Sequence, residues 1–134
     1  MAQAKPKSAP QRPLSPHLQV WRWHATMLTS ILHRATGMAL YVGTLIVVLW
    51  LFTAMLETPA YYTALEDALH TLPGQVILFG YTFALMFHAC NGVRHLVWDS
   101  GAGFAPKTAN TASIAVIVAA VFLTVAVWIV ADLF

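Results

Sequence analysis

Two short stretches hold most of the side chains able to do chemistry. In "SILHRATG", residues 30–37, Ser30, His33, Arg34 and Gly37 are spaced i, i+3, i+4 and i+7. On a helix that spacing puts all four on one face. A hydroxyl, an imidazole and a guanidinium so grouped can hydrogen-bond a polar headgroup whose tail stays in an apolar medium. An isolated Arg34 could equally snorkel its cation to the membrane surface. In "HACNGVRHLVWD", residues 88–99, His88, Gly92, His95 and Asp99 recur at i, i+4, i+7 and i+11, again as a single stripe. Asp99 is expected to form a helix-end ion pair with Arg94 or Arg34, worth little if solvent-exposed.

His88 is the most deeply placed of these groups. Counted from Gly74, it lies about 21 Å along a helix rising 1.5 Å per residue. A lone neutral histidine in a bilayer can be satisfied by one hydrogen bond to a neighbouring helix. Gly92, one turn beyond, adds a second option, because it removes a side chain from the same face and lets a large flat group approach. Haem bound through the His88 imidazole would use that clearance, with His95 and Arg94 near its propionates. His17, His24 and His70 fall outside the apolar runs, and His33 belongs with Arg34. A second axial histidine is therefore expected from another chain.

The elements that must position these groups are membrane helices. Of 134 residues, 59% are hydrophobic and only 9% charged, against roughly 25% charged in an ordinary soluble domain. Residues Ala35 to Leu56, Ala68 to Val93 and Thr108 to Ala131 contain no Asp, Glu, Lys or Arg. Each can supply the roughly 20 residues of a spanning helix. The expected fold is all-α: an integral membrane domain over residues 30–132, with spans near 30–56, 74–98 and 108–132. A basic, proline-rich segment, residues 1–29, precedes it. "TPAYYTALEDALH" reads as a short surface helix, "LPG" (Leu72 to Gly74) as a turn before the second span, and "DSGAGFAPKTAN" as a loop. Cys90 lies within the second span and is expected to be a small buried apolar residue.

All seven basic residues flank one side of these spans: Lys5, Lys7, Arg12, Arg22 and Arg34 before the first, Arg94 and Lys107 around the second turn. The positive-inside rule then puts the N-terminus inside and the C-terminus outside. Trp21, Trp23 and Trp98 fall near the inner boundary, and Trp50, Tyr61, Tyr62 and Trp128 near the outer, as aromatic belts do. No Gly-rich nucleotide loop or CxxC pair occurs, so soluble chemistry must belong to other chains. No nucleic-acid partner is expected.

At these residues the chain resembles a family. "RPLSPHLQVW", "SILHRATG" and "HACNGVRHLVWD" are together similar to the cytochrome b membrane-anchor subunit (the large, C-type anchor) of succinate dehydrogenase, respiratory complex II. The resemblance runs from about Arg12 to Asp99; the third span matches only as an apolar helix. It implies a three-helix anchor that packs with a second three-helix anchor subunit into a helical bundle. The pair holds an iron-sulfur subunit and a flavoprotein subunit at the membrane. It further implies Ser30 and Arg34 at a ubiquinone headgroup site with His33 adjacent, His88 as an axial ligand of haem b, and His95, Arg94 and Gly92 in the haem environment. Such a chain is non-catalytic alone. The expected location is a bacterial inner membrane, with the N-terminus cytoplasmic and the C-terminus periplasmic; a mitochondrial inner membrane is the other compartment the family occupies.

Three other readings use the same residues. The anchor of a fumarate reductase runs the reverse chemistry on a related scaffold. A haem-free anchor would use His88 only as packing. A small oligomeric channel or transporter would line a pathway with His and Arg, but it needs polar groups across the whole bilayer, and the outer halves of the three spans carry only scattered Thr and Tyr.

Overall fold

The structure is a computed structural model that describes residues 22–56 and 59–132. The N-terminal segment through Trp21, with the readings made on it, and Glu57 lie outside the described residues. Four helices follow in order: α1 (Ala25–Met55), α2 (Pro59–His70), α3 (Leu72–Asp99) and α4 (Pro106–Asp132). α1, α3 and α4 are long and apolar enough to cross a membrane. At 31 residues, α1 is about 46 Å long, more than the roughly 30 Å hydrocarbon core. α1 starts at Ala25 rather than Ser30, α3 at Leu72 rather than Gly74, and α4 at Pro106 rather than Thr108.

The "LPG" turn is corrected. Thr71 caps α3, its hydroxyl oxygen accepting from Gly74 N at 3.3 Å, and Leu72 to Gly74 form the first helical turn. Proline is tolerated there because the first-turn N–H groups have no intrahelical acceptor. The short surface helix is present as α2. It is tied to α1 by Trp50, whose Nε1 donates to Tyr62 O at 3.1 Å and whose ring stacks on Tyr62 with centroids 4.7 Å apart. The loop after α3 turns at Gly101 and Gly103, whose φ angles of 85° and 81° lie in the left-handed region open to glycine.

α3 runs antiparallel between α1 and α4 and packs on both. The beginnings of α1 and α4 therefore share one end of the bundle with the last turns of α3. At that end Asn110 of α4 caps α1: its Oδ1 accepts from Ala25 N at 3.2 Å, satisfying a donor that His24 at the cap position leaves unbonded. The small core lies between α3 and α4, around Phe87, Val116 and Ala120. Cys90 is a free, half-buried thiol packed against it. Many large apolar side chains, among them Leu49, Phe52, Val118 and Phe122, remain exposed. On a spanning helix these are the lipid-facing or subunit-facing surface.

Nearer the middle of the bundle, Tyr81 OH donates to Leu40 O at 3.4 Å. Its ring occupies space that only Gly43 leaves, since a Cβ there would overlap the ring. Trp128 Nε1 donates to Thr82 Oγ1 at 3.4 Å, with its ring edge-on to Phe79. These contacts hold α1, α3 and α4 in one register.

Candidate functional site at the junction of α1 and α3

The antiparallel register brings the two motifs to the same end of the bundle. The His33 and His88 rings stack with centroids 3.9 Å apart and planes at 14°. His95 lies 5.3 Å from His33, and Trp98 meets His95 edge-on at 5.1 Å. His33 Nδ1 is enclosed without a hydrogen-bond partner among the described residues. Gly37 packs on the same group: a Cβ there would sit 3.1 Å from His88 Cε1. Gly92 differs, because a Cβ added to it would meet nothing within 4 Å. The stripe is thus closed against α1 at Gly37 and open at Gly92. Ser30 is half-buried and Arg34 exposed, on the same face of α1 as His33.

Arg94 goes elsewhere. One residue along a helix is about 100° of rotation, and Arg94 points into the bundle while His95 stays with the histidines. It is only 6% exposed. Its Nη1 donates to Thr29 Oγ1 at 2.8 Å and to Ser113 Oγ, and its Cζ sits 4.4 Å over the Trp98 ring. Thr29 and Ser113 donate their own protons to Ala25 O and Ala109 O, four residues back, at 3.0 and 2.8 Å. Their lone pairs are therefore free to receive the guanidinium. A buried cation is costly unless hydrogen-bonded, and here three helices and an aromatic face share its solvation. The expected ion pair of Asp99 with Arg94 or Arg34 does not form among the described residues: Asp99 and Arg34 are exposed, and Arg94 bonds to neutral hydroxyls. Its Nε and Nη2, and the amide of fully buried Asn91 one turn away, have no partner among the described residues.

The structure thus assembles His33, His88 and His95, leaves Ser30 and Arg34 beside them and Gly92 open, and turns Arg94 into a separate three-helix knot. Sequence reasoning passed over Thr29, Thr36, Asn91 and Ser113. Each is a small neutral polar residue close to the two motifs or to the start of α4, and the signal available was that a hydroxyl or amide on a spanning helix needs a partner. No group of three or more His, Cys, Asp or Glu is arranged to hold a metal ion among the described residues.

These features define a class: an all-α, multi-pass membrane protein with a histidine cluster at one end of its bundle. Comparison with known proteins narrows it. The family described as succinate dehydrogenase/fumarate reductase transmembrane subunit matches residues 8–127. The succinate dehydrogenase cytochrome b556 subunit of Rickettsia conorii is 35% identical over 129 residues, covering 96% of this chain and 100% of the relative. That of Paracoccus denitrificans is 39% identical over 114 residues, 85% and 87% of the two chains. The mitochondrial cytochrome b560 subunit of Sus scrofa is 36% identical over 118 residues, 85% and 68%. The chain belongs to this transmembrane subunit family, as a cytochrome b membrane anchor of the succinate dehydrogenase kind.

Proposed function

We propose that the chain anchors a succinate:ubiquinone oxidoreductase in a bacterial inner membrane, shares a haem b with a second anchor subunit, and lines the site where ubiquinone is reduced. The observation that carries this reading is the histidine cluster, open at Gly92 and flanked by Ser30 and Arg34. Electrons from succinate arrive through the flavoprotein and iron-sulfur subunits.

At the quinone, the Arg34 guanidinium stabilises negative charge developing on a headgroup oxygen, an electrostatic role of the oxyanion-hole kind. Ser30 donates a hydrogen bond to the headgroup, and His33 borders the site.

The residues around His88 fit a haem. Its Nδ1 has a protein partner, while Nε2 has none among the described residues and is not enclosed. When bound, haem b supplies one-electron redox capacity. His88 would hold it on this side, and the partner anchor would provide a second histidine. His95 lies within reach of the same pocket. Arg94, bonded to Thr29 and Ser113, acts on that pocket mainly by setting the position of α3.

The buried polar side chains argue against a channel. Thr29, Thr36, Asn91, Arg94 and Ser113 all lie toward one end of the bundle, and Thr124 alone lies toward the other. No continuous polar path crosses the described residues. The reading is tested by purifying the tagged chain with its natural partners and recording absorption spectra before and after succinate. Sharp b-type bands that appear with succinate, and are lost in His88→Ala while the subunits still assemble, support it. An unchanged haem spectrum in His88→Ala removes the ligand assignment.

A further inference from the structure

Thr36 is the polar group in contact with the His88 ring edge. It is buried in α1, and its Oγ1 lies 2.8 Å from Leu32 O, 3.0 Å from His33 O and 3.4 Å from His88 Nδ1. A hydroxyl has one proton and two acceptor lone pairs. The two carbonyls can only accept, and Leu32 O makes the shortest contact, so the proton goes back along α1. The Thr36 oxygen then presents a lone pair to His88, and Nδ1 is left to donate. A neutral imidazole that donates at Nδ1 carries its own lone pair on Nε2, the nitrogen with no partner among the described residues.

The neighbours of Thr36 hold the same ring. His33, one turn earlier, covers one face at 3.9 Å. Gly37 packs against its edge, where an added Cβ would stand only 3.1 Å from Cε1. One stretch of α1 therefore bounds the His88 ring by face, by edge and by hydrogen bond.

Resting on the reading of His88 as a haem ligand, we infer that Thr36 is its positioning residue: the hydroxyl oxygen accepts from Nδ1–H, fixes the tautomer and ring angle, and leaves Nε2 to bind iron. A ligating histidine that donates through its other nitrogen is a more basic ligand, and hydrogen bonding around the ligand is one of the levers on haem potential. Thr36 thus holds the potential down. Its place in the motif "HRATG" has this physical content: a hydroxyl three residues after His33 faces the partner helix beside it.

The test uses the assembled complex carrying Thr36→Val, which keeps the shape and removes the hydroxyl, and Thr36→Ser, which keeps the hydroxyl. Redox titration of the haem absorption band and the low-spin ferric EPR signal are read alongside haem content. The expected result is an upward shift of midpoint potential and an altered EPR signal in Thr36→Val, both returned to wild type in Thr36→Ser. Thr36→Ala gives the same readout if valine disturbs assembly. A haem-bearing Thr36→Val complex with unchanged potential and EPR overturns the inference, as does a serine variant shifted as far as valine. His88→Ala separates the two levels: loss of native haem there with a silent Thr36→Val sinks only the role of Thr36, whereas native haem in His88→Ala sinks the ligand reading and this inference together.

Discussion

His33 and His88, 55 residues apart in the chain (88 − 33), stack with ring centroids 3.9 Å apart. The contact exists because α1 and α3 run in opposite directions with one register, which Gly43 and Tyr81 secure nearer the other end. One motif contributes the imidazole next to the proposed quinone residues, the other the proposed haem ligand. The two proposed functions would therefore meet at a single ring-on-ring contact.

Arg34 is exposed beside this contact, which suits a group that works on a bound headgroup rather than on packing. Arg34→Ala should lower succinate-driven ubiquinone reduction by about 10²–10³-fold, the range for loss of one oxyanion-type donor. Succinate oxidation by a soluble dye acceptor should persist. Equal loss of both activities would indicate failed assembly and count against a quinone role.

The Arg94 knot predicts a sign. Breaking the acceptor side with Thr29→Val and Ser113→Ala strands a buried cation and should cost about 3–5 kcal/mol. Arg94→Met removes the charge and keeps an apolar stem, so it should be close to neutral alone and should rescue the double variant. Thermal denaturation of the purified complex, followed by loss of its chromatographic peak, measures all three. A double variant as stable as wild type would show that the hydroxyls do not solvate Arg94.

At Gly43 the issue is space. A methyl there overlaps the Tyr81 ring, so Gly43→Ala should destabilise the α1–α3 contact by about 1–3 kcal/mol, the usual cost of overpacking. Adding Tyr81→Ala should recover part of that loss. A double-mutant cycle on thermal stability reports the coupling, and strict additivity would contradict the contact.

In the proposed topology three spans put the chain ends on opposite sides, with the end that carries the basic residues inside. Alkaline phosphatase fused after Asp132 should be active outside the inner membrane, and fused after Ser100 inactive. The reverse pattern would invert the proposed topology.

The spans, the surface helix and the two polar stripes were legible in the sequence because each depends on local periodicity or on a long apolar run. Gly92 was read as open space from the absence of its own side chain, and the space is there. The "LPG" segment misled because proline and glycine also suit a first helical turn, and Thr71 three residues before Gly74 supplies the cap. The Asp99 ion pair with Arg94 or Arg34 rests on opposite charge at one end of the bundle, whereas Arg94 is solvated by hydroxyls of two other helices and Asp99 and Arg34 are both exposed.

The sequence by itself determined that this is a three-span membrane chain and which side chains share a helical face, since both follow from composition and from 3.6 residues per turn. Only the tertiary structure decided which of those faces meet. Whether His88 lies under Thr36 and His33, and whether Arg94 turns to α4 or stays with His95, depends on helix register and on which flank a neighbour packs. Those are set by contacts such as Tyr81 against Gly43, between residues far apart in the chain, and no local pattern encodes them.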